Sequence, residues 1–190
     1  MIASGVDTDN FKYAIGDIND GRLFEKFALS FLSNVFGYDF LPVGGTKDRG
    51  IDGLQYTYSR KGSEKTVFQL STEKDYEGKI HDSLEKLKKN GIKCASFTYV
   101  TNRKVNQADV LTDKLVDQHE INIRIFDIEW LGTHSNDNES IVRIYRTFVD
   151  SYFHEFKKPD KRFEFSKFDE DPRMFVFLRQ QIGNHASNAK

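Results

Sequence analysis

One cysteine, Cys94, stands in 190 residues, and that excludes an internal disulfide and any cysteine-rich zinc site. Charge of one sign is also missing. Lys+Arg 28 against Asp+Glu 29 leaves a formal charge of −1, so no global basic field announces a nucleic-acid or membrane partner. No apolar run approaches the ~20 residues of a membrane span. The first ten residues lack the basic-then-apolar order of a signal peptide, and the expected address is cytoplasmic. Internal repeats and low-complexity tracts are absent as well. What is present is a globular composition: 38% hydrophobic, 30% charged, with 17 Phe and 8 Tyr, too aromatic for a disordered chain. The length suits one ordinary domain with an extension.

Residues 1–18 are polar and weakly patterned, and read as an N-terminal arm. Then Leu23, Phe24, Phe27, Ala28, Phe31, Leu32 and Val35 recur at helical spacing, with Asp20 as N-cap and Gly37 as stop. Glu25 shares that helix. A short strand is expected over 38–43, a turn at Gly44-Gly45, a strand over 51–58, a polar connection over 59–64 and a returning strand over 66–70. A helix follows over 76–89, ended by Asn90-Gly91, then a strand over 94–101, a helix over 106–119, a strand over 121–126 and a helical turn from Asp127. A hairpin meander followed by βαβ predicts an α/β fold, a mixed sheet flanked by helices, over 19–135. Residues 136–190 read as a C-terminal extension: an amphipathic helix over 141–156, broken at Lys157-Lys158-Pro159, then a charged, Phe-rich segment.

The informative stretch is Gly44-Gly45-Thr46-Lys47-Asp48-Arg49-Gly50-Ile51-Asp52-Gly53, followed after the hairpin by Val67-Phe68-Gln69-Leu70-Ser71. Strand pairing can set Asp52 and Gln69 side by side on one face. With Glu25 they would make a cluster of oxygens, the donor set of a hard cation such as Mg²⁺. On the residues alone each has a plainer role: Asp52 as a turn aspartate, Gln69 as a satisfied strand amide, Glu25 as the polar edge of a helix. Asp48 reads as a turn or capping residue, with a secondary metal role as the alternative.

In this order of residues the chain resembles the PD-(D/E)xK nucleases, and within them the Mrr-like restriction endonucleases. Phe24-Glu25 with Phe27, Gly37, Gly50-Ile51-Asp52-Gly53 and the Gln69 strand end carry the resemblance, which covers about residues 22–131. It implies a restriction-endonuclease-like fold and a Mg²⁺-dependent DNA endonuclease, with Mn²⁺ able to substitute. Asp52 would be the metal-binding carboxylate, Gln69 the Glu/Gln position and Glu25 the helix carboxylate. The family's lysine is expected two residues after Gln69, where this chain has Ser71. Serine cannot supply the positive charge that stabilises a crowded phosphoryl transition state. Lys79, one turn into the next helix, is the preferred replacement and Lys74 the other; each also reads as a solvated lysine.

The run from Gln69 to Ile80 is similar to nuclease-like domains at the front of bacterial antiviral NTPase sensors. That implies a role in anti-phage or foreign-DNA defence and a C-terminal NTPase or sensor module as partner, beside DNA itself and a homo-oligomer. The rival expectation is a catalytically inactive domain of the same fold that binds DNA or mediates oligomerisation. The five histidines show no HxH or HExxH spacing, so no zinc site is expected. Basic clusters fall at Arg60-Lys61, 86–93, Arg103-Lys104 and 157–162; only convergence on one side would make them a nucleic-acid surface.

Overall fold

A computed structural model describes residues 5–43, 51–59 and 62–156; the Gly44-Gly45 turn, Asp48, Arg60, Lys61 and residues 157–190 lie outside the described residues. By compactness the chain divides into two units, Met1–Phe148 and Val149–Lys190. The elements in order are α1 (Thr8–Gly16), α2 (Gly21–Phe36), β1 (Phe40–Pro42), β2 (Gly53–Ser59), β3 (Gly62–Ser71), α3 (Tyr76–Lys89), β4 (Ser96–Thr101), α4 (Ala108–His119), β5 (Asn122–Phe126), α5 (Ile128–Thr133) and α6 (Glu139–Phe156). One 3₁₀ turn, Gly37–Asp39, joins α2 to β1. Helix α6 runs from the first unit into the second.

The five strands form one sheet in sequence order. Strands β1, β2 and β3 pair antiparallel, whereas β3, β4 and β5 pair parallel. Parallel pairing requires a crossover, and α3 and α4 provide the two. The helices start where aspartates satisfy free amides. Asp20 accepts from the Arg22 and Leu23 amides (2.9 and 3.2 Å), and Asp75 accepts from Gly78 N (3.0 Å). Asp127 accepts from Glu129 N and Trp130 N at 3.0 Å each, while its other oxygen takes Val105 N (3.1 Å).

Period-two alternation sorts the sheet residues into two layers. On one face Phe68 and Phe126 meet Phe36 of α2 at ring-centroid distances of 5.6 and 6.2 Å. On the other, Val67, Phe97, Tyr99 and Ile123 are buried with Ile80, Leu84 and Leu87 of α3 and Leu111 and Leu115 of α4. The mixed sheet with helices on both faces is the predicted architecture.

The N-terminal arm is corrected in part. Thr8–Gly16 is helical, capped by Asp7 accepting from Asn10 N (2.8 Å), and Phe11 and Ile15 are fully buried. The Phe11 ring sits 6.0 Å from Phe27, 5.9 Å from Phe31 and 5.1 Å from Tyr145. A Cβ on Gly132 would lie 2.8 Å from Lys12 Cγ, so α1 crosses α5 where a side chain is missing. Lys12 Nζ then reaches Glu129 at 3.0 Å, which holds the Glu129 carboxyl below its usual range. Strands β2 and β3 reach further toward their connection than the expected polar segment over 59–64 allowed, because the ladder continues to Ser59↔Gly62.

Candidate active site

Asp52 sits just before β2, 7% exposed, with its backbone already in the ladder: its N–H donates to Phe68 O (3.0 Å) and its carbonyl accepts from Val43 N (2.8 Å). The next residue explains the glycine context. A Cβ on Gly53 would lie 2.7 Å from Phe40 Cζ and 3.3 Å from Phe68 Cβ, so the Phe40 ring closes against bare backbone beside Asp52. Continuing the register Gly53↔Phe68 by one residue sets Asp52 opposite Gln69. The two side chains meet. Gln69 Nε2 donates to Asp52 Oδ2 at 2.6 Å, and the Leu70 amide donates to the same oxygen at 2.6 Å. A buried carboxylate with two donors on one oxygen is charge-stabilised and fixed in orientation.

The neighbouring helix is drawn to this end of the sheet by Arg103, just beyond β4. Its guanidinium donates to Thr72 O (3.0 Å), Gly16 O (3.1 Å) and Asn19 Oδ1 (2.8 Å). Asn102 Nδ2 adds bonds to Ile15 O (2.9 Å) and Ile18 O (2.7 Å). The link from α1 to α2 is therefore tied to the ends of β3 and β4. A Cβ on Gly21 would lie 3.8 Å from Thr72 Oγ1. Glu25, one turn along α2 from Gly21, is half-buried.

Ser71, in the lysine position of the resemblance, is buried, and its Oγ accepts from Glu73 N (3.1 Å), shaping the turn out of β3. Lys79 Nζ binds Glu73 Oε1 at 2.8 Å, which holds its ammonium near the exit of β3. The flanks of α3 are defined by its partners: Glu77 bonds to Lys114 of α4 (2.6 Å), and His81 meets His119 of α4 (2.8 Å). At about 100° per residue, Lys79 lies on the opposite flank, toward β2. Lys74 is exposed. Tyr99, in register with Gln69, is buried, and burial pushes its phenol up to about 12 against the opposing effect of the Ser71 hydroxyl.

Of the predicted site residues, Asp52 and Gln69 are in direct contact, Lys79 is bonded to Glu73 beyond the end of β3, Lys74 is exposed, and Glu25 is half-buried on α2, the helix that packs on the Phe68 face of the sheet. The donors are all oxygens: the Asp52 carboxylate, Gln69 Oε1 and the Leu70 carbonyl at the strand end. Such a set suits Mg²⁺, which takes one or two carboxylates and keeps waters and substrate phosphate as its remaining ligands. It is not a closed cage, because among the described residues no three His, Cys, Asp or Glu gather to hold an ion. Glu73, Tyr99, Asn102 and Arg103 were not read from the sequence as site residues. Each acts across a turn or a distant connection, and no local motif marks them.

No protein-family model matches the chain, and no curated protein matches it. Among solved structures it is similar to the MspJI restriction endonuclease in complex with a 27-mer oligonucleotide, at TM-score 0.50 and 18% identity over 78% of this chain and 36% of that one. FokI also matches: bound to DNA, at TM-score 0.46 and 13% identity over 74% of this chain and 29% of that one, and free, at 0.46 and 14% over 76% and 29%. The chain therefore spans about a third of the length of the MspJI chain it matches. At this identity the likeness is one of fold. The five-stranded mixed sheet with its flanking helices is restriction-endonuclease-like.

Proposed function

We propose that this restriction-endonuclease-like chain is a Mg²⁺-dependent DNA endonuclease centred on Asp52. The observation that carries the reading is a buried carboxylate, gripped by Gln69 and the Leu70 amide at the end of a central strand. The oligonucleotide-bound MspJI restriction endonuclease of similar fold supports DNA as the substrate. The reaction is hydrolysis of a phosphodiester: a water oxygen bonds to phosphorus and the bond to one ester oxygen breaks. A divalent ion on Asp52 would supply Lewis acidity and a lowered water pKa.

The chain's own residues do the rest. Gln69 and the Leu70 amide fix the orientation of the Asp52 carboxylate, which lowers the reorganisation needed to bind the ion. Gln69 Oε1 and Glu25 are the further oxygen donors. Lys79 supplies the positive charge that Ser71 cannot, and Glu73 keeps its ammonium near the end of β3 until phosphate arrives. With so few formal negative ligands the ion is held weakly in the absence of substrate.

The resemblance to Mrr-like enzymes and to antiviral sensor domains supports a cytoplasmic role in bacterial defence against foreign DNA. In that setting the chain is the effector module of a larger assembly, beside an NTPase sensor and able to self-associate. A second reading, a DNA-binding or oligomerising module without catalysis, is favoured by one observation: the lysine position holds a serine whose hydroxyl serves a turn. Incubating the chain with supercoiled plasmid and with single-stranded DNA, in Mg²⁺, Mn²⁺ or EDTA, separates the two. Metal-dependent nicking that disappears in Asp52→Ala is the expected outcome. A folded wild type that binds DNA but never cuts it would replace the first reading with the second.

A further inference from the structure

The hairpin of β2 and β3 outruns the sheet. β1 covers only Gly53 to Gln55, and β4 joins β3 only from Thr66 onward. Beyond those points Tyr56–Ser59 and Gly62–Lys65 form a two-stranded ribbon. Alternation gives its faces different chemistry. Tyr56 and Tyr58 share one face with their partners Lys65 and Ser63, whereas Thr57 and Glu64 occupy the reverse. The Tyr56 and Tyr58 rings stack, with centroids 6.5 Å apart and planes 23° apart, and Tyr58 is 77% exposed.

The tyrosine face continues into the layer that α3 covers, since Leu54 and Val67 pack there. The basic last turn of α3 ends at this side of the sheet. By the same angular argument that places Lys79, Lys86 lies on the flank toward β2 and is exposed. Beyond α3 the chain returns to the base of the ribbon, where Ala95 N donates to Lys65 O at 2.8 Å. Lys65 therefore stands beside Tyr56 on this face, and Lys86 lies on the flank of α3 that faces β2. Glu85 lies on the α4 side of α3, and Asp82 lies one turn back from Lys86. In a chain of net charge −1 this is a local concentration of positive charge.

We infer that this ribbon and the end of α3 bind single-stranded DNA, with a base stacked on Tyr58 and phosphates on Lys65 and Lys86. Exposed rings beside cations form the surface that unpaired bases and their backbone fit; a duplex hides its base faces and offers Tyr58 nothing to stack on. Tyr58 lies six positions along from Asp52, about 20 Å along the strand. The patch is therefore distinct from the candidate active site, at the opposite end of β2. The inference rests on the DNA reading for its substrate class and gives that DNA a second point of attachment.

The test is anisotropy of fluorescein-labelled oligothymidylate with the full chain in EDTA, so that binding is read without cleavage. Tyr58→Ala is expected to weaken binding about tenfold, and Tyr58→Phe to leave it unchanged. Lys65→Ala and Lys86→Ala are each expected to reduce the slope of log affinity against log salt by about 0.7. Tyr58 is exposed, so its replacement does not threaten folding. Unchanged affinity in Tyr58→Ala, tighter binding of the duplex form, or preference for oligouridylate would each overturn the inference. Persistent Tyr58-dependent binding in a chain that cuts nothing would sustain it while the nuclease reading fell. Normal plasmid cleavage with no Tyr58 effect on binding would do the reverse.

Discussion

At the scale of single residues the site is an arrangement of donors around one carboxylate. Asp52 is buried, which would penalise its charge, and two N–H groups on Oδ2 offset that penalty. In the proposed reaction the positive charge comes from elsewhere. Lys79 is held by Glu73 on the flank of α3 nearer β2, whereas Lys74 is exposed. Lys79→Ala should therefore reduce DNA cleavage by about a hundredfold or more, and Lys74→Ala should leave it near wild type. Single-turnover cleavage rates of the two variants check this, and the opposite ranking would move the catalytic charge to Lys74. The Asp52–Gln69 pair was legible in the sequence because two glycines and a hairpin constrain the register. The Lys79–Glu73 pair was not, because it depends on how the chain leaves β3 and on the start of α3.

At the scale of elements, α1 shows what a short pattern conceals. Phe11, Ile15 and Ile18 do recur at helical spacing, but three apolar positions and Gly16 among polar neighbours do not distinguish a helix from an arm. Tertiary packing decides it: Phe11 fills the space between α2 and α6. Phe11→Ala should cost about 3–5 kcal/mol, measured by urea unfolding of the full chain, through lost burial and the cavity left behind. A loss below about 1 kcal/mol would mean that α1 is peripheral to the core. Helix α2 was readable in advance, since Asp20, a seven-residue apolar stripe and Gly37 agree on it. Arg103 was not, because its three acceptors lie 31 to 87 residues away in sequence.

At the scale of the whole molecule, α3 and α4 are joined by a histidine pair, His81 and His119, whose ring nitrogens are 2.8 Å apart. Burial, then the neighbouring His81, lowers the His119 pKa; Glu85 opposes that and Lys88 adds to it. The neutral form is favoured in the fold, so the unfolded chain binds the proton more readily. The stability this contributes is present above the ordinary histidine value and is lost as pH falls through it toward the lowered one. Urea midpoints taken from about pH 8 to about pH 5 should decline for the wild type and decline less for His119→Gln. Parallel curves would show that the pair is not the linked group. The histidines lie 38 residues apart, so sequence spacing gave no sign of their meeting.

The central claim is that Asp52 is where DNA hydrolysis happens, and the isosteric Asp52→Asn variant tests it most directly. Asparagine keeps the shape beside Gly53 and Phe40, removes the charge and exchanges one acceptor oxygen for an N–H donor group. With thermal melting confirming a folded variant, plasmid cleavage in Mg²⁺ should fall by about a thousandfold from a metal-dependent wild-type rate. Cleavage by Asp52→Asn at the wild-type rate would contradict the account and move the chemistry away from this strand end.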